Sequence, residues 1–390
     1  MANIKKKTLM PPDKIGIIGG GQLGRMLSYE AKRMGYYVSV LDPTPSCPAG
    51  QVSDNQITAS FSDYGSIKEL ADSTDVLTYE FEHIDADILC KLESEGYKIY
   101  PSGDTLKKIQ NKLSQKQLLK KAGLPVPSFS KVENTEDIFS IINEYGLPVL
   151  LKTCYGGYDG KGNIVIRNIN DVEKAYEAFK GKEIMVEQFI DFKCELSIIV
   201  GRGFDGSTST FPVVENIHKD SILNLTKAPA QIDDSIKNKV ESVARQVLDV
   251  FDDYGIFCIE MFLDKKEDVY INEIAPRPHN SGHYTIEACY TSQYEQLLRI
   301  ITGLPQGLTK LISPCAMVNI LGNNEVNGEY TFNGFQNVLL EERVYIHVYG
   351  KRLTKNLKKI GHITVLNELR DTAVIKAQEA LDKIKIKPLI

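Results

Sequence analysis

Apolar and polar positions follow two rhythms along this chain. Residues 14–18 (Lys-Ile-Gly-Ile-Ile) form a short apolar run that reads as a buried strand. Apolar residues at 23, 26, 27, 31 and 34 then share one helical face as far as Gly35, a residue type suited to a helix C-terminus. Tyr36 to Leu41 and Val76 to Phe81 repeat the strand pattern, the latter ending in acidic residues. Alternation of strand and helix predicts a parallel sheet with helical crossovers over residues 1–105.

A second unit follows. Residues 105–122 are rich in Lys and Gln with helical spacing and stop at Ala122-Gly123-Leu124-Pro125-Val126-Pro127. Strands are expected at 147–152, 163–167 and 183–189, with a helix at 171–180 and a Gly-rich loop from Tyr155 to Gly162. Residues 191–281 read as strands plus one long helix near 233–252. The final stretch holds short β-like runs such as 343–349 and 362–366. The expected segments are 1–105, 106–190, 191–310 and a small β-rich closing piece at 311–390.

Composition narrows the function classes. The chain has 390 residues, 42% hydrophobic and 25% charged, which excludes a disordered chain, a collagen and a coiled coil. With 46 basic against 51 acidic side chains the net charge is −5, so broad neutralisation of nucleic-acid phosphates is not expected. No apolar run approaches the roughly 20 residues that span a bilayer, and no apolar segment follows Lys5-Lys6-Lys7. Seven cysteines without a C-x-x-C pair suit reduced thiols, and hence a cytoplasmic protein without a disulfide framework or zinc site.

Four motifs carry chemistry. Gly19-x-Gly21-x-x-Gly24, between a strand and a helix, meets the dinucleotide fingerprint, with Asp42 where a ribose-binding acid would stand. From this motif alone NAD, another phosphate-bearing ligand and a ligand-free tight turn all remain open. Lys152 to Gly162 places four glycines and two lysines between two strands, so its amides can drape over phosphate oxygens. It is not a Walker A loop, because Tyr155 and Gly162 stand where that motif needs Gly and Ser or Thr. Glu260 and Glu273 flank the turn 264–268 and face each other if the turn centre lies midway between them. Such a like-charge pair destabilises a sheet unless a hard cation such as magnesium sits between, with Asn272 as a further oxygen. Residues 275–284 (Ala-Pro-Arg-Pro-His-Asn-Ser-Gly-His-Tyr) gather polar donors in a Pro-bounded loop, with Arg277 the fork for a phosphate or carboxylate.

Taken together, these residues resemble the ATP-grasp ligases. The resemblance rests on Asn111-Lys112, Lys152, Gly156 to Gly162, Glu187-Gln188-Phe189-Ile190, Glu195, Glu260 and Asn272-Glu273, in family order across essentially the whole chain. It implies an α/β and α+β three-domain architecture, with a Rossmann-like N-terminal domain that binds acceptor substrate rather than NAD. Gly20-Gly21-Gln22-Leu23-Gly24, Leu41-Asp42-Pro43, Thr78 to Glu82, Gly156 to Gly162, Arg277 to Tyr284 and Tyr349-Gly350-Lys351 followed by Gly361-His362 are similar to one branch of that family. That branch carboxylates the exocyclic amine of aminoimidazole ribonucleotide, using ATP and bicarbonate, through carboxyphosphate.

The resemblance also implies roles. Lys112, Lys152, Gly157, Tyr158, Asp159, Gly160, Lys161 and Gly162 would hold ATP phosphates. Glu187, Gln188, Phe189 and Ile190 would meet adenine, Glu195 the ribose, and His218 and Asn272 would border the nucleotide. Glu260 and Glu273 would bind Mg2+, with Mn2+ the alternative. Asp159, Arg277, His279 and Asn280 would be catalytic. Gln22, Leu23, Glu82, Tyr158, Lys351 and Lys358 would contact the ribonucleotide, although Lys112 and Lys358 stand where the family carries arginine. A homodimer without nucleic-acid or membrane partners is implied. A formate ligase acting on glycinamide ribonucleotide and, more distantly, an NAD-dependent dehydrogenase are the alternatives.

Overall fold

The computed structural model describes residues 8–157 and 162–389. Strands β1 (Lys14–Ile18), β2 (Tyr37–Leu41), β3 (Asn55–Ile57) and β4 (Val76–Tyr79) form a parallel sheet in the order β3-β2-β1-β4. The expected helix runs from Gln22 to Arg33, and Gly35 beyond it has a φ of +85°. β4 is shorter than the apolar run suggests. The Glu80 amide still bonds the Ile18 carbonyl at 3.1 Å, after which the chain leaves the sheet.

The stretch with helical spacing over 105–122 is two helices, Gly103–Gln110 and Lys112–Lys121. Asn111 separates them. Its backbone is extended, and its Oδ1 accepts the Ser114 amide at 2.9 Å, so it starts the second helix rather than continuing the first. Next, β5 (Phe129–Val132), β6 (Val149–Thr153), β7 (Asn163–Ile166) and β8 (Ile184–Gln188) form an antiparallel sheet in the order β5-β8-β6-β7. The helix expected at 171–180 is confined to Val172–Glu177 after a single turn at Ile169–Asp171.

The third segment contributes β9 (Phe192–Arg202), β10 (Thr208–Thr210), β11 (Val214–Lys219), β12 (Ile222–Ala228), β13 (Gly255–Asp264) and β14 (Val269–Ala275). The last contributes β15 (Cys315–Leu321), β16 (Gly328–Asn333), β17 (Val344–Val348), β18 (Leu353–Thr354), β19 (Lys359–Leu366) and β20 (Lys385–Pro388). Nine of these strands make one antiparallel sheet, β14-β13-β9-β11-β12-β15-β19-β17 with β10 on β9. The helix Asp234–Phe251 buries Ile236, Val240, Val243, Ala244, Val247, Leu248 and Phe251 on it. The closing piece therefore differs from the expectation. Three of its strands prolong the large sheet, and it carries a 14-residue helix, Arg370–Lys383.

Ile15, Leu27 and Val38 share a continuous core with Ile199, Ile256, Tyr284 and Leu297. The loops after β1 and β4 are thereby held against the edge of the large sheet that carries β13 and β14. No helix among the described residues is long and apolar enough to cross a membrane.

Candidate active site

The first glycine turn does not offer its amides to a ligand. Glu80 accepts hydrogen bonds from the Gly21 and Gly24 amides, the latter at 2.6 Å. Asp42 accepts from the Gly20 amide at 2.8 Å and from Thr44 at 2.8 Å. The anion that a helix N-terminus attracts is thus supplied by the protein. This removes the dinucleotide reading of Gly19 to Gly24, since a pyrophosphate would have to displace a buried carboxylate.

Lys152 on β6 and Lys116 on the helix Lys112–Lys121 share one acid. Glu187 on β8 places one carboxylate oxygen 2.5 Å from Lys116 Nζ and the other 2.5 Å from Lys152 Nζ, and its side chain is 2% exposed. Burial alone would push the Glu187 carboxyl up, but the two ammoniums outweigh it and hold it below the usual carboxylate range. Burial pulls Lys116 down to about 8 despite Glu187, which leaves it an ammonium at neutral pH. Lys116 also donates to the Ile271 carbonyl at 3.3 Å, and Lys152 to Asn272 Oδ1 at 3.4 Å.

Glu260 on β13 and Glu273 on β14 are direct cross-strand partners, as expected, but the turn alone does not put them there. Leu263 pairs with Val269 and Met261 with Ile271, so an unbroken register would set Glu260 opposite Asn272. A bulge after Glu260 inserts one residue. Asn272 and Glu273, which regular alternation would send to opposite faces, both line the same cavity. The turn itself is fastened by Asp264, whose Oδ1 accepts the amides of Lys266 and Asp268 at 2.8 Å each. Burial pushes the Glu260 carboxyl up to about 7, with Glu273 and Glu195 adding to it. Glu273 goes the other way. Burial would raise it, but Lys112, whose Nζ lies 2.5 Å from Glu273 Oε1, holds it down. Two facing acids, one of them forced towards neutrality, are a donor set that a hard divalent cation fits.

The Pro-bounded loop stands opposite. Arg277 donates from Nη2 to both Glu82 oxygens, at 2.7 and 2.9 Å, and from Nη1 to the Pro278 carbonyl at 2.8 Å. His279 turns Nε2 towards Glu260 Oε1 at 3.7 Å and Nδ1 towards Ser281 Oγ at 2.9 Å. Burial, then Arg277 and Lys359, push its imidazole well below its ordinary range, so it is neutral at pH 7. Gln293 accepts the His279 amide at 2.9 Å and donates to its carbonyl at 2.8 Å. Asn280 and Asn319 exchange two amide hydrogen bonds at 3.0 and 2.8 Å. His218 pairs with Glu195, which lifts the imidazole against its burial.

One cavity of about 890 Å³ collects most of these groups. Of the residues expected in the site, it is lined by Gln22, Leu23, Glu82, Lys112, Lys152, Gly157, Glu195, His218, Glu260, Asn272, Glu273, Arg277, His279 and Asn280. Tyr158, Asp159, Gly160 and Lys161 lie outside the described residues. Glu187, Gln188, Phe189 and Ile190 are not in the wall; Glu187 lies behind it as the anchor of Lys152. Gly162 closes its hairpin by accepting the Thr153 amide at 2.9 Å. Lys351 stands beside the wall and donates to the Lys359 carbonyl at 2.9 Å. Lys358 points away, to the Leu353 carbonyl at 2.8 Å, while its neighbour Lys359 lines the cavity. Lys359, Lys116, Gln293 and Asn319 belong to no motif. Only Lys116 had a signal, standing one helical turn after Lys112 and so on the same face.

Residues 117–294 match the ATP-grasp domain, residues 12–110 the ribonucleotide synthetase preATP-grasp domain, and residues 315–376 the phosphoribosylaminoimidazole carboxylase C-terminal domain. The N5-carboxyaminoimidazole ribonucleotide synthase of Bacillus subtilis is 42% identical over 369 residues, which are 94% of this chain and 95% of that protein. The chain belongs to the N5-carboxyaminoimidazole ribonucleotide synthase family of ATP-grasp ligases. The family member from Thermotoga maritima superposes with a TM-score of 0.88 at 44% identity, over 97% of this chain and 100% of that one. The family structure from Aspergillus clavatus in complex with ADP and 5-aminoimidazole ribonucleotide superposes with a TM-score of 0.87 at 35% identity, covering 95% of this chain and 98% of that one. The architecture expected from the ATP-grasp resemblance is thus the architecture found.

Proposed function

We infer that this chain carboxylates the exocyclic amine of 5-aminoimidazole ribonucleotide in purine biosynthesis, consuming ATP and bicarbonate and releasing ADP and phosphate. The observation that carries this reading is convergence. Lys112 and Lys152, the Gly156–Gly157 end of the glycine loop, the Glu260–Glu273 pair and the Arg277–Asn280 loop open on a single cavity.

Phosphoryl transfer asks a protein for positioning and charge neutralisation more than for covalent chemistry. Lys112 and Lys152 supply fixed cations for the phosphates. Glu260, Glu273 and Asn272 would hold Mg2+, which supplies charge neutralisation at the transferring phosphoryl group. Bicarbonate oxygen attacks the γ-phosphorus and expels ADP, giving carboxyphosphate. Arg277, fixed by Glu82, faces the same space and is placed to hold bicarbonate and then its phosphorylated form. Neutral His279 is held by Gln293 and accepts the Ser281 amide at Nδ1, so its Nε2 carries the proton and donates. The amine then takes the carboxyl carbon and phosphate leaves. Leu23, Gln22 and Glu82 present the first domain to the ribonucleotide. We place the enzyme in the cytoplasm as a homodimer on the family resemblance.

The decisive experiment is phosphate release with ATP and aminoimidazole ribonucleotide, with bicarbonate, formate or neither added. Stimulation by bicarbonate alone supports the reading, and stimulation by formate alone replaces it with the transformylase alternative. A second outcome separates the lysines. Lys351→Ala and Lys359→Ala are expected to raise the ribonucleotide KM about tenfold, as loss of a phosphate cation does in a partly desolvated site, with little effect on the ATP KM. Lys358→Ala, whose ammonium binds a backbone carbonyl outside the cavity, is expected to leave both within twofold or so. A ribonucleotide KM effect from Lys358→Ala would restore the sequence-based assignment of Lys358.

A further inference from the structure

A lysine that owns a private carboxylate is a poor phosphate ligand, because the pair is neutral before the phosphate arrives. Lys152 looks like such a lysine, with Glu187 Oε2 at 2.5 Å. Lys116 changes the account. It takes the other Glu187 oxygen, also at 2.5 Å, so two ammoniums and one carboxylate leave one net positive charge. Lys116 is 2% exposed at its side chain and absent from the cavity wall, so it cannot touch the nucleotide.

We propose that Lys116 is a positioning residue for ATP: it neutralises Glu187 from behind, so that Lys152 meets the triphosphate with a whole positive charge. The proposal rests on the ATP reading above. All three side chains are buried, so salt and water do not wash the effect out as they would at a surface. The contacts of Lys116 reach both halves of the phosphate-binding apparatus. Besides Glu187 it holds the Ile271 carbonyl, one residue before Asn272, and Asn272 in turn accepts from Lys152. One ammonium therefore ties the phosphate lysine to the bulge that carries Glu273. Its position on the helix follows from sequence, since Lys112 one turn earlier faces the cavity and Lys116 on the same face falls deeper.

The test is a charge-balance cycle in the full-length protein. The readouts are the Kd of magnesium with a β,γ-imido ATP analogue, by calorimetry, together with thermal unfolding and the ribonucleotide KM. Lys116→Met removes one ammonium and leaves Glu187 and Lys152 as a neutral pair. Its analogue Kd is expected to rise about tenfold or more, while the ribonucleotide KM stays near wild type. The double variant Lys116→Met with Glu187→Gln removes one charge of each sign and returns the net charge to that of the wild type, so it is expected to bind the analogue more tightly than Lys116→Met alone. A purely structural role shows in thermal unfolding and leaves the analogue Kd of the folded protein unchanged in both variants, because losses within one buried charge cluster do not add. If Lys116→Met does not fold, Lys116→Gln keeps a donor for Ile271 without the charge and makes the same comparison. An unchanged Kd in the folded single variant, or a double variant weaker than the single, overturns the proposal. Wild-type protein that does not bind the analogue overturns the ATP reading instead.

Discussion

Replacing Glu187 alone by Gln is expected to destabilise the fold by about 3–5 kcal/mol, the cost of stranding buried charge. The substitution keeps the shape of the side chain and removes its charge. Lys116 and Lys152 are then two ammoniums in a space where their side chains are 2% and 7% exposed, with no carboxylate between them. Urea denaturation measures the loss directly, as a lower midpoint at unchanged slope. A loss below about 1 kcal/mol would mean that the two lysines do not both carry charge in the folded protein. The pH dependence has a definite sign. Glu187 titrates lower in the folded chain than in the unfolded one, where a glutamate sits at about 4.3. Its contribution is therefore complete above that range and fades as the pH falls through the folded value. The gap between wild type and Glu187→Gln should accordingly hold above pH about 4.3 and narrow on acidification below it.

Local pattern was readable from the sequence where one element decides it by itself. β1, the helix after it and the helix Asp234–Phe251 fall where apolar spacing put them. Patterns decided by a distant residue were not readable. The glycine fingerprint looks alike whether its amides meet a pyrophosphate or Glu80, and Glu80 lies more than fifty residues downstream. The helix start at Asn111 is local, a cap bond to Ser114, and the family resemblance places Asn111-Lys112 before a helix. The helix Arg370–Lys383 buries Ala373, Ala377 and Ala380, which keep helical spacing but are too small to stand out as an apolar stripe.

The same division runs through the site. Residue types at short spacing, such as Lys152 with Gly156 and Gly157, the paired glutamates, and Arg277 with His279 and Asn280, marked the cavity wall. Residues that hold the wall in place announce nothing. Gln293 serves the His279 backbone, and Asn319 the Asn280 amide and the Leu223 carbonyl, across distances that only the fold closes. Lys358 and Lys359 are adjacent, and the choice between them turns on which one begins β19 facing the cavity, a matter of register that charge pattern does not contain. Register also decided the acids. The spacing of Glu260 and Glu273 suggested a facing pair, yet it is the bulge that makes them face.

That bulge makes Glu273→Gln the variant with the largest expected loss of activity. Bicarbonate-dependent ADP formation should fall by about 10² to 10³, the usual cost of removing one fixed group that answers developing charge, while the chain still folds. Gln preserves the volume and the hairpin register but not the charge that balances Lys112 and that would bind the proposed cation. Lys112 is 15% exposed on its side chain and borders an open cavity, so losing its partner there costs far less than stranding the lysines around Glu187. The two variants should thus part company, Glu187→Gln losing stability first and Glu273→Gln losing turnover first. Raising Mg2+ separates two causes of the second loss. If Gln weakens only the hold on the cation, mass action restores turnover as Mg2+ is increased. If turnover stays low at saturating Mg2+, the Glu273 charge is needed in the transfer step itself. A Glu273→Gln enzyme within about fivefold of wild type would overturn the proposal that Glu273 binds a cation.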